Sequence, residues 1–157
     1  MKNYILRSFN YTAWANQKTL ASLQACPAAH EEGAPVIAHM IAAENVWFSR
    51  LTSSQPAFAV WPTLTIDECQ TLVAESEKTW SELLSTVTDD KLLTAIDYQN
   101  TRGEPFCDSV MDILTHVTLH GAYHRGQIAK IVRQKGGTPA ATDFIVYVRN
   151  QAAKTSP

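Results

Sequence analysis

The sequence predicts an all-α fold, a four-helix bundle in a single domain. Three observations lead there. Four long amphipathic segments fall within about 140 residues. Their ends carry helix punctuation: Pro27 and Gly33, a Thr-x-x-Glu box at Thr65, and Gly136-Gly137 ahead of Pro139. No repeat, low-complexity tract or linker divides the 157 residues. The domain is placed at residues 1–152, with 153–157 as a disordered tail.

The first helix is expected from about residue 3 to 25, because Leu6, Phe9, Ala13, Asn16, Leu20 and Leu23 recur at steps of three and four. The second starts near Pro35, a favoured first-turn residue, and reaches about Leu51 with Val36, Met40, Ala43 and Trp47 inward. Residues 52–64 read as a loop, whose Phe58, Trp61 and Pro62 either cover a pocket mouth or simply pack. Thr65 and Glu68 form a capping box for a third helix to about Val87, with Ile66, Cys69, Leu72, Val73, Trp80, Leu83 and Leu84 as its apolar set. Between 93 and 107 the helical period fades. Alternation at Ile96 and Tyr98, then Asn100-Thr101-Arg102-Gly103, points to a short hairpin. Ser109 and Asp112 resemble a cap for a long fourth helix ending at Gly136-Gly137. Phe144 to Val148 suits a helix or a strand equally.

Composition narrows the function classes. Apolar residues are 45% and charged residues 18%, a globular balance. No apolar run approaches the ~20 residues of a membrane span, and the start lacks a signal-peptide pattern, so a cytoplasmic location is the default. Cys26, Cys69 and Cys107 are odd in number and widely spaced, which suits buried or half-buried free thiols rather than a disulfide framework. Net charge is −2. Most of the acid lies before residue 116, and the basic residues near Gly136 complement the negative end of a helix dipole. No aromatic–basic interleaving or reader motif supports nucleic-acid binding.

The chemistry concentrates in the histidines. His116, His120 and His124 recur at every fourth position, stacking on one side of a helix. With Ile113 at 0°, His120 falls at about −20° and His124 at about +20°, in the middle of a stripe with Val117, Ile128 and Ile131, while His116 at about −60° sits at its edge. On the second helix His39 lies beside the stripe, at about −60° from Val36. One inward histidine can be a hydrogen-bonded core residue. A central pair needs a partner for each ring, and a shared divalent metal would supply it. The inferred site is His39, His120 and His124. His116 is an edge residue or an outer contact that Asp112 could orient. Asn16 interrupts the first helix's seam, and either specifies register or approaches the metal pocket through a water. Gly121 and Gly126 are expected to permit close packing. His30 reads as a solvated loop residue, and Glu44, at about 80°, points away from His39.

His120-Gly-Ala-Tyr-His124-Arg-Gly-Gln, the stretch Arg133-Gln-Lys-Gly-Gly-Thr-Pro139 and the segment from Asp143 to Arg149 resemble the C-terminal signature of the DinB-like (DinB/YfiT) superfamily. Tyr11 to Asn16, and His39 through Glu44, Asn45 and Trp47 to Leu51, match it as well. The resemblance implies an up-down-down-up bundle, commonly dimeric, with nickel or zinc on a triad matching His39, His120 and His124. Leu119 departs from it, standing where many members carry Asn. Relatives include enzymes that use low-molecular-weight thiols. With three protein ligands and an open position, the expectation is a metal-dependent transferase joining a small thiol to an electrophile. The alternatives are a metal-dependent hydrolase, a non-catalytic metal-stabilised dimeric bundle, or a dimerising module without an ion.

Overall fold

A computed structural model gives the architecture, and residues 1–155 are described. Helix α1 spans Lys2–Gln24 and is followed by a 3-10 turn at Pro27–Ala29. Helix α2 spans His30–Thr52, so Pro35 sits inside its second turn rather than at its start. The helix begins five residues earlier than proline placement suggests, with Glu31 and Glu32 at its positive end. His30 is its first residue and bonds through Nε2 to the Leu23 carbonyl at 3.0 Å, so it is a joint between helices and not a solvated loop residue.

Helix α3, Ile66–Thr86, starts at the expected capping box: Thr65 Oγ1 accepts from Glu68 N, and Glu68 accepts from Thr65 N. A one-turn helix α4, Asp89–Leu93, was not foreseen; Thr88 caps it. Strands β1 (Ala95–Gln99) and β2 (Pro105–Ser109) form the expected antiparallel hairpin, with Tyr98 opposite Phe106. Gly103 supplies its left-handed turn residue, φ 79°. Helix α5, Val110–Gln134, is capped by Ser109, whose Oγ accepts from Asp112 N. It closes with a Schellman motif, Gly136 N to Arg133 O and Gly137 N to Val132 O. The ambiguous C-terminal segment is helix α6, Phe144–Thr155. Phe144 and Tyr147, one turn apart, pack on Tyr11, which favours helix over strand. Residues 153–155 of the expected tail continue this helix, and residues 156–157 lie outside the described part.

Side-chain pairs fix the direction of each rod. Gln24 meets Gln70 and Gln17 meets Glu77, so α1 and α3 are antiparallel. Asn16 meets Arg125 and Cys26 reaches Lys135, so α1 and α5 run parallel. With a tight α1–α2 connection the bundle is up-down-down-up, and the crossover at 53–65 carries the chain back along α2. Each of α1 and α2 packs on both α3 and α5. Two apolar clusters fill the interior: one holds Leu20, Leu23, Ile37, Met40, Cys69 and Ile128, the other Ile5, Phe9, Trp80, Leu84, Leu114 and Val117. Buried polar side chains of Asn16, Glu44 and Arg125 lie in the middle turns of the same helices. Cys26 and Cys69 are buried as expected, but Cys107, on the two-stranded hairpin, is exposed. Lys135 pairs with Glu32 of α2, so a specific ion pair joins the dipole in explaining that charge.

Candidate metal centre

His39 from α2 and His120 and His124 from α5 converge. One ligand atom from each can be chosen so that all three lie within 4.8 Å of one another. Ring centroids are 4.7 Å apart for His39 and His124, 5.2 Å for His39 and His120, and 4.4 Å for His120 and His124. A tetrahedral ion bound at about 2.1 Å sets its nitrogens about 3.4 Å apart, so a modest closure of the rings suffices.

The hydrogen bonds select the nitrogen on each ring. Nδ1 of His39 lies 2.8 Å from the Val60 carbonyl oxygen, which can only accept. Nδ1 of His124 lies 2.9 Å from Oε1 of Gln127, again an acceptor. Both rings therefore carry their proton on Nδ1 and keep the Nε2 lone pair free. His120 Nε2 is buried without a hydrogen-bond partner among the described residues. An orphaned buried nitrogen is costly, and here it faces a site where two further lone pairs are unclaimed. The donor set fits a divalent transition ion, so this cluster could hold a metal.

Electrostatics favour the neutral form, which a metal ligand needs, at His120 and His39. Burial, then the neighbouring His124, His39 and His116, lowers His120 to about 4. Burial also lowers His39, partly opposed by its bond to Val60. His116 is lowered by burial and by nearby Arg50.

The positions on α5 differ from the wheel reading in one respect. Val110, Ile113, Leu114, Val117, Gly121, His124, Arg125, Ile128 and Val132 are all buried, so the true stripe centres at about 65° from Ile113. Buried His124 and half-buried His120 lie toward one side of it, where they meet His39. Its other side carries Arg125, 2% exposed, which the apolar pattern alone does not mark as inward. Its Nη1 donates to Asn16 Oδ1 at 2.8 Å, and Nη2 donates to the Tyr11 hydroxyl at 3.3 Å. Asn16 Nδ2 donates in turn to Glu44 Oε1 at 2.8 Å, and Ser76 Oγ donates to Glu44 Oε2 at 2.6 Å. Burial raises the Glu44 carboxyl, against the pull of Ser76, Asn16 and Arg125.

Asn16 takes the structural one of its two readings: its amide is bonded to Glu44 and Arg125 in a buried layer, and to none of the three histidines. The sign available in sequence was the amide itself: a buried Asn needs partners, and Arg125 with Gly121 one turn before it could supply one. Glu44 points away from His39, as its angle indicated. A Cβ on Gly121 would come within 2.9 Å of Arg125 Nη1, so that glycine makes room for the guanidinium; around Gly126 there is open space, contrary to the packing expected of it. His116 stays at the edge, 5.5 Å from the His120 ring and 5.1 Å from Trp47. Asp112 does not orient it, because its Oδ2 accepts from Ser109 Oγ.

The crossover loop closes one flank. Trp61 stacks on His39, centroids 3.8 Å apart and planes 8° from parallel. Asn45 Oδ1 accepts from Ala57 N at 2.8 Å and ties the same loop to α2. No helix among the described residues is long and apolar enough to cross a membrane.

Residues 1–155 match the DinB family. The sequence is 27% identical over 167 aligned positions to Protein DinB of Bacillus subtilis (strain 168), covering 94% of this chain and 95% of that protein. The fold is similar to the crystal structure of a DinB-like protein from Bacillus cereus ATCC 10987, with a TM-score of 0.60 over 87% of this chain and 94% of that one. At 20% identity that likeness concerns the fold alone.

Proposed function

This chain belongs to the DinB family, and from that membership and the histidine cluster we propose that it binds a divalent transition metal, nickel or zinc, for transfer of a small thiol to an electrophile. The observation that carries the reading is the shared availability of three imidazole lone pairs: two rings with Nδ1 tied to acceptors, and one with a buried Nε2 left unpaired. When bound, such an ion supplies positive charge that favours the deprotonated form of a thiol or of water.

The chain's own residues do the rest. His39, His120 and His124 are neutral donors, so they leave the ion's charge uncancelled. Val60 and Gln127 hold two of the rings by their far nitrogens and fix their planes. Trp61 covers one face of His39 and keeps water from it. Glu44 is engaged by Asn16 and Ser76 and is not placed to take a proton at the histidines. The thiol's proton therefore leaves to solvent as sulfur bonds to the electrophile and the leaving group departs. Hydrolysis, with water as the nucleophile, uses the same residues and is the alternative. A homodimer is expected of this reading.

Metal analysis tests it. The purified protein is expected to carry about one transition ion per chain, and His124→Ala to lose it while the helical spectrum is kept. A His124→Ala protein with undiminished metal would refute the triad. One that unfolds would assign the ion a structural role instead.

A further inference from the structure

We propose that Trp61 and Tyr123 are specificity residues that clamp a flat apolar group, such as an aromatic ring, carried by the thiol or by the electrophile. The inference rests on the metal-dependent reading above and names the substrate class for it.

Two exposed rings abut two different ligands of the same centre. Trp61 lies face to face on His39 yet remains 60% exposed, so its outer face is open. Its position is held, because the preceding carbonyl, Val60 O, is bonded to His39 Nδ1. From the α5 side Tyr123 stands edge-on to His124, centroids 5.1 Å apart, and is 66% exposed. Leu119, one turn earlier on the same outer face of α5, is 64% exposed.

Scattered apolar residues on a surface need no explanation. Here, however, one ring comes from the crossover loop and the other from α5, and each touches a histidine of the cluster. Both rings therefore border the histidine cluster that would hold the ion. Aromatic pairs gain from stacked and edge-on contact beyond area alone, and Trp61 and Tyr123 offer an open face and an open edge. Neither makes a side-chain hydrogen bond among the described residues that would give it another role.

The test uses cobalt-loaded full-length protein and two pairs of probes, 2-phenylethanethiol against ethanethiol and 4-phenylimidazole against imidazole. Binding is read from the visible ligand-field bands, beside cobalt stoichiometry and sedimentation. The phenyl member of each pair is expected to bind about tenfold tighter, the scale of one well-placed aromatic contact. Trp61→Ala and Tyr123→Ala should each bring that ratio below threefold while still loading one cobalt. Equal affinities within a pair in the wild type, or a ratio unmoved by both variants, overturns the clamp. If neither thiol binds but phenylimidazole keeps its advantage, the clamp stands and the thiol reading falls. If no cobalt binds, both fall, and the stoichiometry alone says so. If Tyr123→Ala converts a dimer to monomer, that face is a self-interface and the clamp is refuted.

Discussion

Gln127 offers the sharpest test of how the histidines are held. It sits three residues after His124 on the same face of α5, and its Oε1 lies 2.9 Å from His124 Nδ1. That contact keeps the proton on Nδ1, leaves Nε2 free, and fixes the plane of the ring. Gln127→Leu preserves bulk and helix propensity but removes the acceptor. The net worth of one such bond is about 0.5–1.5 kcal/mol, and about 1.4 kcal/mol is tenfold in an equilibrium constant. Removing outer contacts of metal-bound histidines costs about 10- to 100-fold in affinity. Both routes give a loss of about tenfold for the Leu variant. Gln127→Glu should bind as tightly as wild type or tighter, because an ionised acceptor makes a bond roughly twice as strong. Competition against a chromophoric chelator at fixed neutral pH measures all three proteins. A Leu variant within twofold of wild type, or a Glu variant as weak as Leu, would show that the contact does not orient the ligand.

Three further outcomes follow from the buried layer and the rings. Arg125→Met should cost about 3 kcal/mol in urea unfolding, since removing one member of a buried charged network is far worse than never having it; the loss should shrink in a Glu44→Gln background, and a cost below about 1 kcal/mol would mean the network is incidental. Gly126→Ala should raise the melting temperature, gaining up to about 1 kcal/mol of helix propensity in open space, whereas Gly121→Ala should lower it through the 2.9 Å approach to Arg125; shifts of the same sign would contradict this pair. The metal-free protein should lose stability as pH falls from 6.5 towards about 4, because His120 takes up a proton near 6.5 when unfolded but only near 4 when folded. Its contribution is therefore complete above that window and absent below it. Denaturant titrations at stepped pH should show this slope flattened in His120→Gln, and an unchanged slope would discount the burial of that ring.

Much of the site was legible because its signals are local. His120 and His124 repeat with the helical period, and the box at Thr65 and the Gly136-Gly137 stop depend on a few adjacent residues. Charges were harder. Nothing in the apolar pattern marks Arg125 or Glu44 as buried, since isolated ions avoid the interior, and only their joint bonds to Asn16 make burial tolerable. The inner stripe of α5 is accordingly centred about 50° from its expected place. Trp61 was left between covering a pocket and packing, since the fate of a loop ring depends on a histidine 22 positions away in sequence.

The amino-acid order alone determined the helical class, all but one of the boundaries of the four long helices to within a few residues, the hairpin, and the three imidazoles that belong together. Periodicity and caps act over one or two turns, and such forces are written into neighbouring residues. Tertiary structure decided which nitrogen each ring presents, that Asn16 serves Glu44 and Arg125 instead of the histidines, and where Trp61 lies. Those outcomes require partners from separate helices to be brought within about 3 Å, the range over which a hydrogen bond forms. No spacing along the chain encodes that distance until the bundle closes.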